Sequence, residues 1–288
     1  MSKDILAMIQ NNMPQFSKGQ KNIGRFILEN YDKAAFMTAS KLGKTVNVSE
    51  STVVRFAAEL GYDGYPAMQK ALQEMIRSKL TTVQRIEVSN DQLGDQDVLT
   101  KVLQSDMEKL RMTMETMDRK EFEAVVDALV GARRIYVLGV RSAAALSDFL
   151  TFYFNLLFDN VRQVKSTLSS EMFEQMLRVN KDDVVIGISF PRYSTRTVRA
   201  MKFARDQGAT VVALTDSELS PLYETANHRL LAKSDMASFV DSLVAPLAVI
   251  NALIVAVGRK KAAEVTETFG YLERIWDEYE VYTKRTGS

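Results

Sequence analysis

A chain of 288 residues, 46% hydrophobic and 25% charged with a formal net charge of +1, has the make-up of a globular protein with one large domain or two ordinary ones. It holds no Cys and a single His, His228, which excludes disulfides and thiolate chemistry and leaves a zinc or iron site only carboxylates to draw on. Charge is uneven: residues 1–80 carry eleven Lys/Arg against seven Asp/Glu, so a basic amino-terminal part precedes a slightly acidic remainder.

In the opening MSKDILAMIQNNMPQ, Asp4, Gln10, Asn11 and Asn12 interrupt any signal-peptide core, and a cytoplasmic protein is expected. Residues 16–30 place Ile23, Phe26 and Ile27 on one helical face, with Ser17 as N-cap. A short helix over Thr38–Lys44, capped by Thr38, turns Ala39 and Leu42 inward. After the turn Thr45–Val48, Ser49 caps a second helix that runs to Gly61 with an apolar stripe of Val53, Phe56, Ala57 and Leu60. Two short helices joined by such a turn form a helix-turn-helix. Its second helix points Glu50, Ser51, Thr52, Arg55 and Glu59 outward, where hydroxyls and a guanidinium can reach base edges or phosphates. The same spacing also suits a three-helix bundle with a solvated face.

The stretch Met37–Leu72 then adds specificity: Val48, Ser49, Thr52, Val53, Arg55 and Phe56, followed by Leu60, Gly61, Tyr62, Gly64, Tyr65 and Pro66. This run resembles the amino-terminal domain of RpiR-type bacterial transcription regulators. The resemblance implies binding to double-stranded operator DNA as a homodimer or a dimer of dimers, through Ser49, Ser51, Thr52 and Arg55.

Residues from Arg77 to about Thr100 are polar, with a break between Asn90 and Gly94, and read as the end of a helix plus a linker. Val102, Leu103, Met107, Leu110 and Met114 form one helical stripe and Phe122, Val125, Val126 and Leu129 a second, both expected to pack on the body. From Arg133 onward, strands alternate with helices. Ile135–Leu138, Val161–Lys165, Val184–Ile188, Val211–Leu214 and His228–Ala232 read as five strands, with helices over about 143–157, 169–178 and 198–208. That alternation predicts an all-α head on an α/β body with a doubly wound five-stranded parallel sheet in the flavodoxin-like order 2-1-3-4-5. The switch point then lies between the first and third strands, where Gly139–Ser142 and Ser189–Thr195 meet. Ligands bind at such crevices.

The order and motifs over roughly Glu121–Gly258 resemble the sugar isomerase (SIS) domain that follows the helix-turn-helix in RpiR-type regulators. The resemblance implies a phosphorylated metabolite held by Ser142, Ser189, Ser194 and Thr195, with Glu171 on sugar hydroxyls. Two departures stand out. Arg141 occupies the usual second glycine of the first loop, and SFPRYST replaces the small Ser-rich loop, bringing Arg192 and Tyr193. Arg141, Arg192 and Arg196 can add charge-assisted bonds to an anion, or the bulky pair Arg192 and Tyr193 can fill the pocket. Isomerase chemistry would need a base from Glu171, Glu174 or His228. Joined to a DNA-binding head, the body is expected to sense rather than to turn over, with no catalytic residue, cofactor or metal assigned.

The apolar run Leu243–Val257 is shorter than the roughly 20 residues of a membrane span and contains Pro246 and Asn251, so a buried helix over 238–260 is expected and no membrane partner. A final helix, Glu264–Thr283, sets Val265, Phe269, Leu272, Trp276 and Tyr279 in a short heptad-like seam that can pack on its own body or on a partner subunit, with dimerisation favoured. The expected domains are 1–78, a linker and connecting helix 79–120, the SIS body 121–260 and the final helix 261–288.

Overall fold

The computed structural model describes residues 5–77, 80–93, 97–165, 169–235 and 238–282, and within these the side chains of 77, 91–93 and 169 are left aside. Gly94 and Thr283, which entered the linker and final-helix expectations, lie outside the described residues. The chain divides into two compact units, Met1–Ser105 with Met236–Asp241, and Asp106–Asp235 with Ser242–Ser288.

The first unit is helical. α1 (Ile5–Asn12), α2 (Lys18–Glu29), α3 (Tyr31–Ala34), α4 (Ala39–Thr45), α5 (Glu50–Glu59), α6 (Gly64–Arg77) and α7 (Thr82–Leu93) follow one another. α2 begins with a reciprocal capping box: the Gln20 amide donates to Ser17 Oγ, and the Ser17 amide donates to Gln20 Oε1 at 2.9 Å. Its inner face, Ile23 and Ile27, meets Leu42, Val53 and Phe56 in one buried cluster. Phe16 and Phe56 stack at 5.0 Å inside it. The turn between α4 and α5 closes tightly because residue 43 is glycine: a Cβ there would sit 2.9 Å from the Val48 carbonyl oxygen. Asn47 completes the turn in the left-handed region at φ 56°. α1 and α7 were not expected. α1 carries only two buried anchors, Ile5 and Ile9, and α7 arises from a polar stretch whose anchor is the buried Arg85, bonded to Asp241 at 2.8 Å.

The second unit is built on five parallel strands in the order β2-β1-β3-β4-β5: β1 (Arg134–Gly139), β2 (Val161–Val164), β3 (Asp183–Ile188), β4 (Thr210–Thr215) and β5 (His228–Leu231). The expected order is the observed one. Alternate residues face opposite sides, and both sides are covered, so the central strands are apolar throughout. Ile135, Val137, Val184, Ile186 and Ile188 pack with α9 (Arg119–Val130), α10 (Ala143–Leu157) and α14 (Val244–Lys260). Tyr136, Leu138, Val185 and Val211 pack with α11 (Ser169–Gln175), α12 (Thr195–Asp206) and α13 (Pro221–Thr225). The buried Asp183 carboxylate, held by Arg133 at 3.0 and 2.8 Å, pins the start of β1 to β3.

Two expectations need correction, and a third element leaves its options open. α8 (Val98–Thr116) does not bury its apolar stripe: Leu103, Met107 and Met114 are exposed, and the buried residues are Lys109 and Thr113, with Thr113 Oγ1 accepting from the Lys233 amide. A helix with apolar residues outward and polar residues inward defeats a periodicity argument. The apolar run expected from 238 becomes helical only at Val244, past Ser242, whose carbonyl and hydroxyl are bonded to Ser234 and Asp106. α15 (Ala262–Glu278) has no fully buried residue: Val265 and Phe269 pack on the body's own core, while Tyr279 is exposed. No helix among the described residues is long and apolar enough to cross a membrane.

Tyr65 tests the head. Its hydroxyl donates to the Met37 carbonyl at 2.8 Å, and burial pushes its pKa up to about 12. Tyr65→Phe should cost about 1 kcal/mol at neutral pH in chemical denaturation. The folded state holds the proton more tightly than the unfolded state, so this advantage is complete below pH 10 and is lost as pH rises towards 12. The gap between wild type and variant should therefore close over that window.

Candidate functional site

The first site is the exposed face of α5. Ser49 caps the helix, its Oγ accepting from the Thr52 amide at 3.3 Å and lying 2.9 Å from Ser51 Oγ and 2.8 Å from Thr52 Oγ1. Thr52 is half-buried, so its hydroxyl serves the cap more than the surface, unlike the outward position expected for it. Ser51 and Arg55 are exposed, and the Arg55 Nε donates to the Ser51 carbonyl at 3.3 Å. Glu50, Ser51, Val54 and Arg55 line a shallow surface groove. Val54, 42% exposed, was not singled out by the helical pattern, although an apolar residue on an outward position is the signal that marks it. Glu59 is turned back onto α2, accepting from Gln20 Nε2 at 2.8 Å.

The second site is a cavity of about 830 Å³ at the carboxyl edge of β1 and β3, lined by Gly139, Val140, Arg141, Ala144, Asp148, Lys165, Glu171 and the run 192–196. Both loops expected there contribute. Gly139 is required at the floor, since a Cβ would lie 2.5 Å from the Ala143 carbonyl oxygen. Arg141 and Arg192 hold left-handed backbones, at φ 57° and 67°. Glycine adopts that conformation without strain, whereas an L residue costs about 1–2 kcal/mol. Arg141 thus holds a backbone that glycine would adopt freely, and stands on the wall.

α12 begins at the cavity, with Ser194 as N-cap accepting from the Thr197 amide at 3.3 Å and no acidic residue in its first turn. The positive end of its dipole, with Thr195, Arg192 and Arg196 beside it, favours an anion. Four cations (Arg141, Lys165, Arg192, Arg196) face two carboxylates (Asp148, Glu171) on the lining.

Ser142 and Ser189 are not on that wall. Ser142 is exposed at the start of α10 and makes no capping bond, and the α10 residues on the wall are Ala144 and Asp148 instead. Ser189 is 5% exposed, and its Oγ accepts from the Ser194 amide at 3.0 Å, bracing the loop from behind. Its carbonyl accepts from Thr215 Oγ1 at 2.8 Å, and Thr215 in turn meets Ser220 Oγ at 2.7 Å. Tyr193 does not plug the cavity. Its hydroxyl donates to the buried Asp216 at 2.8 Å, which ties the β3–α12 loop to the loop after β4. Asp148 and Lys165 were missed in the sequence. Asp148 lies beyond the loop, past the first turn of α10, and Lys165 just past β2, so only the folded sheet brings them to the loops.

His228 is remote from this cavity. It opens β5, at the amino edge of the parallel sheet, with Nδ1 3.5 Å from Glu121 Oε1. Of the three candidate bases only Glu171 lines the cavity.

A helix-turn-helix head followed by a doubly wound body with an anion-favouring cavity at its switch point is the build of a DNA-binding regulator. Comparison with known proteins agrees. Residues 3–79 match the helix-turn-helix domain of the rpiR family, and residues 128–256 match the SIS domain. An uncharacterised HTH-type transcriptional regulator of Haemophilus influenzae is 30% identical over 236 residues, 80% of each chain. The sugar isomerase domain of an RpiR transcription factor from Sphaerobacter thermophilus superposes with a TM-score of 0.58 at 27% identity, over 61% of this chain and 97% of that one. The Vibrio vulnificus NanR protein, in a complex with ManNAc-6P, covers 96% of this chain and 99% of its own with a TM-score of 0.60, and at 22% identity it shows the fold. The chain belongs to the RpiR family of HTH-type transcriptional regulators with a SIS domain.

Tyr193→Phe should lower stability by about 1–2 kcal/mol in urea denaturation, since it removes a hydroxyl donor from a buried carboxylate. An unchanged midpoint would mean the tie to Asp216 does not brace the loop.

Proposed function

We propose that this regulator senses a small anionic metabolite, a phosphorylated sugar, in the switch-point cavity, and that occupancy changes its affinity for operator DNA. The observation that carries this reading is the lining of the cavity, where cations outnumber carboxylates beside the amino terminus of a twelve-residue helix. Arg192, Ser194, Thr195 and Arg196 form the anion end, with Arg141 on the wall and Glu171 towards the sugar hydroxyls. Ser189 acts through the loop by bracing Ser194. In the head, Ser51 and Arg55 meet the DNA while Ser49 and Thr52 set the start of the recognition helix. The NanR structure, which holds ManNAc-6P, supports a sugar phosphate as the class of ligand.

The protein acts in the cytoplasm as a homodimer, or a dimer of dimers, on two-fold related half-sites. The exposed Leu103, Met107 and Met114 of α8 offer an apolar face to a second copy. Ligand must bind two arrangements of the dimer with different affinity to act on DNA. Sensing without turnover is supported by the remoteness of His228 and by relatives named as transcriptional regulators. Turnover of a sugar phosphate that Glu171→Gln abolishes would contradict it.

Two measurements test the reading. A hexose phosphate at 100 times its Kd should stabilise the protein by about 2.7 kcal/mol in thermal unfolding, and the free hexose should not. Arg55→Ala should weaken operator binding by about 1–3 kcal/mol, read as a roughly 5- to 150-fold rise in Kd, with melting unchanged. Equal stabilisation by free and phosphorylated sugars would remove the anion end from the account.

A further inference from the structure

The charges on the cavity wall are sorted. Arg192 and Arg196 stand at the β3 side, on the loop into α12 and its first turn. The two carboxylates stand at the β2 side with Lys165: Asp148 on α10, Glu171 in the first turn of α11, and Lys165 directly after β2. Because β2 and β3 flank β1, these two sides are separated by two strand spacings, about 10 Å. A phosphorylated hexose can bridge that distance with its phosphate at one side and its far hydroxyls at the other.

The β2 side is also held in place. Asp148 accepts from Lys165 Nζ at 2.6 Å and from Gln163 Nε2, and Gln163 also donates to Ser147 Oγ at 3.0 Å. The bond from Lys165, then that from Gln163, keeps the Asp148 carboxyl below the usual carboxylate range, so it is an anion at neutral pH. Counting Lys165 against Asp148 and Glu171 leaves one formal negative charge on this side, with Arg141, after β1, standing between it and the β3 side. Carboxylates accept from hydroxyls, and Lys165 can donate to a ring or hydroxyl oxygen.

We propose that Asp148 and Glu171 are the specificity-determining residues of the cavity: the β2 side accepts an uncharged, hydroxyl-rich end and repels a second acidic group. The ligand class is then the monophosphate of a neutral sugar. Sugar-acid phosphates and sugar bisphosphates, which would bring a carboxylate or second phosphate against Asp148 and Glu171, are discriminated against by like-charge repulsion. This rests on the proposed reading of the β3 side as the phosphate end.

The test is calorimetric titration of the full-length protein with paired probes: several hexose 6-phosphates, the aldonic acid 6-phosphate of each, and hexose 1,6-bisphosphates. Wild type should bind at least one hexose monophosphate about tenfold or more tightly than its doubly anionic counterparts. In Asp148→Asn and in Glu171→Gln that ratio should shrink about tenfold, mainly because the doubly anionic probes bind better, and Lys165→Met should widen it. A ratio equal to one in wild type, or unchanged in both carboxylate variants with melting preserved, overturns the proposal. If no probe binds at 10 mM, or if Arg196→Ala leaves monophosphate affinity unchanged, the phosphate-end reading itself falls and takes this inference with it.

Discussion

The reversal of winding between β1 and β3 is the constraint on which the rest of the body depends. β1 pairs in parallel with β2 on one side and β3 on the other, so the connections from their carboxyl ends run to opposite faces of the sheet. α10 leaves β1 for one face, and α12 leaves β3 for the other. The two loops therefore part, and the gap between them is the cavity. The anion-favouring character follows from the same geometry, because a helix that starts at a strand end turns its amino terminus to that gap.

Around the gap, backbone strain and hydrogen bonds are arranged to hold the loops apart. Arg141 and Arg192 accept left-handed backbones that cost stability, and both guanidiniums stand on the cavity lining in return. Ser189 and the Tyr193–Asp216 bond offset that cost by bracing the β3–α12 loop from behind and from the side. A loop supported this way keeps its shape without a ligand to hold it.

Much of this was legible in the residues. Strands covered on both faces read as continuous apolar runs, so Val184–Ile188 and Val211–Leu214 declared themselves, and their alternation with helices pointed to a doubly wound sheet, of whose common orders 2-1-3-4-5 is the one observed. The cap at Ser49 and the motif through Pro66 did the same for the head. What could not be read was side-chain direction inside a loop. Ser142 and Ser189 have the right chemistry at the right strand ends, yet Ser142 is off the lining and Ser189 turns its hydroxyl to the Ser194 amide behind the loop. Asp148 and Lys165 sit 7 and 24 residues from Arg141, a separation that only the sheet order and the helix pitch close. α8 failed for a different reason: its apolar stripe faces outward, which periodicity alone cannot distinguish from inward.

The central claim is that occupancy of this cavity is felt at the DNA. Its most direct test is operator binding by fluorescence anisotropy, with the operator first selected from random duplexes. Kd would be measured with and without a saturating hexose phosphate, in wild type and in Arg192→Ala with Arg196→Ala combined. The account predicts that the ligand shifts the wild-type Kd at least fivefold, in either direction, and leaves the double variant unmoved. An operator affinity indifferent to a ligand shown to bind wild type would contradict it.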